Sequence, residues 1–205
     1  HVMLLVGGPS LEKEISLASA DNIQNALESL GYKVSIIDPS ETSLIDNLRS
    51  LTPDIVFNGM HGTYGEDGLV QSLLEITGVP YTHSGVLPSA AAMNKTLTKK
   101  LAIHHGIETP KFIEMDCREC MEKLQSGQDL PIPIPFVLKP IDQGSTIGIM
   151  IVRHHGEMVL LRDKIKKWHH GKNILVEEYI PGRELSVGIL QNKPLGIIEI
   201  ITSGN

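Results

Sequence analysis

Four short segments of the sequence gather residue types able to do chemistry. The first is Gly7-Gly8-Pro9-Ser10-Leu11-Glu12, which closes an apolar run and opens a stretch of helical periodicity. Glycines ahead of a helix N-terminus leave backbone N–H groups and the positive end of the helix dipole open to a carboxylate or phosphate, and Glu12 is placed to meet an ammonium. Acidic residues also favour the first turn of helices that bind nothing, so this segment alone leaves both readings open. The second segment, His61-Gly62-Thr63-Tyr64-Gly65-Glu66-Asp67-Gly68, brings a histidine and two carboxylates together with three glycines that let the backbone pass close to a ligand. It could equally be a polar loop in which Asp67 caps the next helix.

The third segment is a strand ending in Lys139, followed by Gly144, Ser145, Thr146 and Gly148. A loop of glycines and hydroxyls can fold over a triphosphate while the lysine supplies positive charge. It lacks the G-x-x-x-x-G-K-[ST] order of a P-loop, and a plain hairpin turn would have a similar composition. The fourth segment runs from Leu175 through Glu177, Glu178, Tyr179 and Ile180 to Glu184. Strand alternation sends Glu177 and Glu178 to opposite faces, so at least one turns to a cleft, where a carboxylate can accept hydrogen bonds from adenine or ribose. A solvated acid on a sheet edge is the competing explanation.

The elements that carry these segments follow from periodicity. Val2 to Val6, Val34 to Ile37 and Asp54 to Phe57 read as short buried strands. Between them lie helical stretches, one capped by Ser10 with apolar positions at Ile23, Ala26, Leu27 and Leu30, the other carrying Leu44, Ile45, Leu48 and Leu51. This βαβαβ order predicts a parallel sheet covered by helices, with ligands at the carboxyl ends of its strands. A helix over Leu69 to Ile76 closes at Gly78, Val79 to Thr82 completes the unit, and a small-residue helix begins near Ser89.

After Thr109-Pro110 the chain turns β-rich, with strands at Phe136 to Lys139, Ile149 to Val152, Ile174 to Tyr179, Glu184 to Leu190 and Leu195 to Ile201, and a helix around Glu157 to His169. Pro131-Ile132-Pro133-Ile134-Pro135 cannot be helical and delivers the chain into the Phe136 strand. The chain opens on His1, and only four residues follow Ile201, which reads as a portion of a larger protein.

Composition narrows the partners. With 205 residues, 41% of them hydrophobic, the chain can bury one large or two small cores. A net charge of −6 with no clustered basic face argues against nucleic acid. No apolar run approaches the roughly 20 residues of a membrane span, and no signal peptide is evident, so no membrane association and a cytoplasmic setting are expected. Cys117 and Cys120 lie in a stretch of helical character with no second ligand pair and read as free thiols. The adjacent histidine pairs at 104–105, 154–155 and 169–170 suit chelation poorly.

In this order the segments resemble D-alanine:D-alanine ligases of the ATP-grasp superfamily over nearly the whole chain. The Gly7 to Leu17 opening, His61-Gly62 through Gly68, Tyr81-Thr82-His83-Ser84-Gly85-Val86, Met93-Asn94-Lys95 with Thr98-Lys99, Lys139-Pro140 with Gly144 to Gly148, and Glu177 to Glu184 carry the resemblance. It implies an N-terminal, Rossmann-like parallel-sheet pre-ATP-grasp domain that binds substrate over residues 1–92. A central α+β ATP-grasp subdomain over 93–180 would follow, then the start of an incomplete C-terminal subdomain over 181–205.

The implied reaction is ATP-dependent ligation of two D-alanines through an acyl phosphate, for peptidoglycan precursors. Glu12, His61 and Ser145 would be catalytic, with Glu12, His61 and Glu66 on the substrate. Lys95, Lys139, Gly144, Ser145, Thr146, Gly148, Glu177, Glu178, Tyr179, Ile180 and Glu184 would hold ATP. Mg2+ or Mn2+ would bind groups beyond residue 205, none within this chain, and a homodimer is implied. Thr146 departs from the family's frequent second serine, adding a methyl beside the phosphates. Another ATP-grasp ligase, including one that uses D-lactate as its second substrate, and a non-catalytic nucleotide-binding module remain as alternatives.

Overall fold

The computed structural model describes residues 1–144, 146–157 and 173–201. Strands β1 (Val2–Leu5), β2 (Val34–Ile37) and β3 (Ile55–Asn58) form a parallel sheet in the order β2-β1-β3. All four residues of β1 are buried, the signature of a central strand covered on both faces. Helices α2 (Leu44–Leu51) and α3 (Leu69–Thr77) cover one face, where Leu44, Leu48, Val70 and Leu74 pack on Met3, Leu5 and Val56. Helix α1 (Lys13–Ser29) covers the other through Ala20 and Ile23 against Leu4 and Val6. Each fully buried aliphatic side chain contributes about 2 kcal/mol, so the paired cores suffice to order short strands.

Several details differ from the sequence reading. Ser10 does not cap α1: Glu12 occupies the N-cap without a side-chain capping bond, and the Ser10 hydroxyl accepts the Glu12 N–H at 3.0 Å. Ala26 of α1 and Leu30 at its C-cap are exposed, because the helix packs on the sheet through its earlier turns, around Ala20 and Ile23. Val79 to Thr82 contributes one parallel bridge, Val56 to Tyr81, rather than a strand. Helix α4 (Val86–Met93) starts ahead of Ser89 and is followed at once by α5 (Lys95–His104), which the periodicity did not announce. The Asn94 side chain accepts Leu97 N–H at 2.9 Å and caps α5.

The second sheet is antiparallel, in the order β4-β7-β5-β6, from β4 (Phe112–Asp116), β5 (Phe136–Pro140), β6 (Met150–Val152) and β7 (Asn173–Glu178). β4 was also missed from sequence. One face carries Met115, Phe136, Leu138, Val152, Ile174 and Val176 and is covered by α6 (Cys117–Gln125), with Cys120 and Leu124 inside the contact. Both cysteines are free, and burial in this apolar layer pushes the Cys120 thiol up to about 12. Strands β8 (Glu184–Leu190) and β9 (Lys193–Ile200) pair as an exposed antiparallel ribbon, joined by an Arg183–Glu199 pair with two contacts of 2.8 Å. The helix expected over 157–169 lies, beyond Glu157, outside the described residues.

Candidate active site

The parallel sheet ends its strands in loops that main-chain contacts lock together. The Ser16 hydroxyl accepts Gly7 N–H at 2.8 Å and donates to Gly59 O at 2.7 Å, joining the loops after β1 and β3 to the first turn of α1. Asp38, just past β2, accepts Gly8 N–H at 2.9 Å, and Lys13 Nζ lies 2.9 Å from its other oxygen. Burial alone would raise the Asp38 carboxyl, but hydrogen bonds from Lys13, Ser40 and Gly8 outweigh it and hold the group at about 2.

This frame places Glu12, 3% exposed, at the strand ends. Its carboxylate lies between two glycines: a Cβ on Gly62 would come within 2.6 Å of Glu12 Oε1, and one on Gly144 would also come within 2.6 Å. Gly144 belongs to the loop after β5, so the two sheets meet at Glu12. Any side chain at either glycine would displace the carboxylate, and Gly62 also adopts a left-handed φ of +70°.

Next to Glu12, His61 Nδ1 lies 3.8 Å from Glu66 Oε1, and Glu66 Oε2 accepts Gly62 N–H at 2.7 Å. Asp67 accepts Tyr64 N–H at 2.8 Å and Leu69 N–H at 3.0 Å, so it supports the turn and the start of α3. His61 and Glu66 line a cavity of about 210 Å³ shared with Asn58, Gln71, His83 and Ser89. Gln71 is 1% exposed; its amide N–H donates to Gly65 O at 2.7 Å, while Oε1 has no partner among the described residues. A buried acceptor left unpaired is costly, and a polar ligand in the cavity would satisfy it.

A second cleft lies on the antiparallel sheet, on the face opposite α6. Register places Glu177 opposite Val137 on β5 and Phe112 on β4, with Lys139 a diagonal neighbour on the same face. Glu177 is 4% exposed; one carboxylate oxygen contacts Lys139 Nζ and the other lies 2.9 Å from Lys99 Nζ. Lys95 stands four residues before Lys99 on α5, where this spacing puts both on one face. Its backbone N–H donates to Ile141 O at 3.0 Å and its ammonium to Gln143 O. Burial lowers the Lys95 pKa and the neighbouring Lys139 charge adds to this, against raising contributions from Asp142, Glu177 and Glu12. Lys95, Lys99, Lys139, Leu175 and Glu177 line a cavity of about 340 Å³. Past Pro110, a more open cleft of about 650 Å³ runs along Thr109, Lys111, Glu178 and Ile180.

The structure thus gathers Glu12, His61 and Glu66 at one place and Lys95, Lys139 and Glu177 at another, linked through Gly144. Tyr179 and Ile180 directly follow β7; Tyr179 N–H donates to Pro135 O at 3.2 Å, and Arg153 lies 5.8 Å from the Tyr179 ring. Thr146 is exposed with φ +66°, a conformation that a β-branched residue rarely adopts, and Gly148 has φ +75°. Glu184 lies on the exposed β8–β9 ribbon and lines neither cleft. Ser145 lies outside the described residues. Sequence reasoning gave Lys99 and Gln71 no role; the i, i+4 spacing of Lys95 and Lys99 and the place of Lys99 in the motif that carries the resemblance were signals for the first, and no signal marked the second.

A family model described as D-ala D-ala ligase N-terminus matches residues 39–84, and one described as D-ala D-ala ligase C-terminus matches residues 101–204. The chain belongs to the D-alanine–D-alanine ligase family. It is 41% identical to the D-alanine–D-alanine ligase of Rhizorhabdus wittichii over 99% of its own length and 64% of the relative's, and 42% identical to that of Chelativorans sp. over 100% and 64%. It therefore spans about 64% of the length of these relatives.

Among solved structures, the Bacillus anthracis D-alanine–D-alanine ligase superposes with a TM-score of 0.78 at 30% identity, covering 97% of this chain and 63% of that one. The same enzyme complexed with ATP superposes at 0.77 with 29% identity, covering 100% and 67%. The mixed fold inferred from the sequence, a parallel-sheet unit ahead of an α+β unit, is the fold of this family. Among the described residues, no helix is long and apolar enough to cross a membrane.

Proposed function

We propose that the protein to which this chain belongs ligates two D-alanine molecules to D-alanyl-D-alanine at the expense of ATP, supplying peptidoglycan precursors. The observation that carries this reading is the junction at Glu12, where a buried carboxylate lies between Gly62 of the parallel-sheet unit and Gly144 of the lysine-bearing unit. A site for an amino-acid ammonium then sits against the loop that covers the phosphates. The residue division at 92 and 180 follows the same reading, with the parallel-sheet unit binding substrate and the antiparallel sheet with α5 binding nucleotide.

In the first step a D-alanine carboxylate oxygen bonds to the γ-phosphorus of ATP as the bond to the ADP oxygen breaks. In the second, the amine of another D-alanine bonds to the acyl carbon, phosphate leaves, and the nitrogen gives up a proton. Glu12 holds the ammonium of the first D-alanine, and His61, steadied by Glu66, sets the carboxylate toward the phosphorus. Lys95 and Lys139 offset negative charge on the phosphates, as preformed cations in a part-buried cleft do most effectively. Glu177 and Glu178, with the main chain at Tyr179 and Ile180, take the adenine, while Glu184, which lines neither cleft, is left without a ribose contact. The loop through Gly144, Ser145, Thr146 and Gly148 closes over the phosphates and keeps water from the acyl phosphate.

Among the described residues no group of three His, Cys, Asp or Glu side chains could hold a metal ion; in this reading Mg2+ or Mn2+ binds groups beyond residue 205. In this reading the protein is a cytoplasmic homodimer.

The test is phosphate release by the natural full-length protein with ATP, Mg2+ and D-alanine, beside L-alanine, D-lactate with D-alanine, and the Glu12→Gln variant. Release specific to D-alanine and lost in Glu12→Gln supports the ligase. Release that needs D-lactate moves the second substrate, and no amino-acid dependence removes the reading.

A further inference from the structure

We propose that Lys99, which no part of the ligase reading uses, is a positioning residue for the nucleotide site. By sharing the Glu177 carboxylate, it leaves the Lys139 ammonium available to a phosphate group. The inference rests on the ATP reading above and specifies how the cleft keeps a cation for its anionic ligand.

Three observations carry it. An ammonium has three N–H donors, and three acceptors surround Lys99 Nζ: Thr109 Oγ1 at 2.5 Å, Pro110 O at 3.2 Å and Glu177 Oε2 at 2.9 Å. The Phe112 ring lies 5.1 Å away and adds a cation–π contact. Lys99 is therefore saturated, its side chain 12% exposed, and has no donor left for a ligand. Lys139, by contrast, is 25% exposed, lines the same cavity and has only Glu177 as a partner among the described residues, so donors remain for an incoming oxyanion.

The carboxylate itself is almost wholly buried. A buried charge stripped of its partners is strongly destabilising, so Glu177 must keep at least one cation. With Lys99 fixed on one oxygen, Lys139 can turn to a phosphate without stranding the carboxylate. With Lys99 gone, Lys139 becomes the sole compensating charge, and a phosphate must compete with Glu177 for it. Two ammoniums on one carboxylate also leave net positive charge beside Lys95, the polarity a polyphosphate requires.

The experiment compares binding of adenosine and of ATP by calorimetry on the natural full-length protein. The ratio of the two affinities isolates the phosphate contribution from base recognition. Lys99→Met should reduce the preference for ATP over adenosine by about tenfold or more, the loss of one good charge contact. Lys99→Arg should preserve it. Adding Glu177→Gln to Lys99→Met should restore the preference, because a neutral amide does not hold Lys139. Should Lys99→Met fail to fold, Lys99→Gln, whose amide can still donate to Thr109 and Pro110, must show the same fall. Equal weakening of ATP and adenosine, or no recovery in the double variant, would overturn the proposal and leave Lys99 a structural residue. Wild-type protein that binds neither ligand would instead bring down the nucleotide reading itself.

Discussion

The two clefts are built from different materials. At the parallel sheet the frame is main chain: glycines pack against Glu12, the Ser16 hydroxyl joins two loops, and Asp38 accepts a backbone N–H. At the antiparallel sheet the frame is charged side chains, with Lys99 and Lys139 on one buried glutamate and Lys95 beside them. Backbone frames fix a small ligand by excluding volume, whereas charged frames attract a polyanion and can rearrange when it arrives. In the proposed reading a small zwitterion meets the first frame and a nucleotide the second.

Substitutions can break this contrast. The largest effect is expected at Lys139→Met, which should weaken ATP by about a hundredfold through loss of a charge-assisted contact, with D-alanine affinity unchanged, read by titration with each ligand. Gly62→Ala comes next. Its left-handed φ and its approach to Ser10 and Glu12 should cost about 2 kcal/mol in chemical denaturation and also abolish D-alanine-dependent phosphate release.

Asp38→Asn should be comparable in size at neutral pH and should lose its effect in acid. Its folded carboxyl sits at about 2 against an ordinary 3.8, so the stabilisation is full above roughly pH 4 and fades as pH falls toward 2. Denaturation should show wild type losing about 2 kcal/mol across that window relative to the variant. Gly144→Ala should be the mildest for the fold. A Cβ there meets Glu12 Oε1 without a left-handed backbone to strain, so KM for D-alanine should rise about tenfold with the melting temperature unchanged. If Gly144→Ala destabilised the fold as much as Gly62→Ala, the two glycines would not differ as described.

Much of the fold was legible because its punctuation is local. The bounds of β2, α2 and β8 match the periodicity, each being a short apolar or amphipathic run between turn residues. The misses have physical causes. On α5, Leu97, Leu101 and Ile103 are all substantially exposed, so the helix lacks an apolar stripe and depends on its Asn94 cap and on lysines that face a cleft. β4 is five residues long and gains its stability from pairing with β7, a partner distant in sequence. Glu12, His61, Lys139 and Glu177 could be named from residue type and neighbours, and Lys95 only from the family resemblance. The pairing of Lys99 with Glu177, and the placing of Gly144 against Glu12, arise only when distant segments meet, and no periodicity encodes them.

The Cys120 thiol has a consequence for following the protein's motions. It sits wholly buried on the sheet-facing side of α6, with burial holding its pKa up to about 12, so the nucleophilic thiolate is scarce while the helix is docked. An alkylating reagent can modify it only during excursions in which α6 lifts from the sheet. Its labelling rate becomes a clock for local opening on the face behind the lysine-lined cleft. Slowing of that clock by ATP would report, without any introduced probe, how far ordering of the ligand-binding face spreads through the sheet.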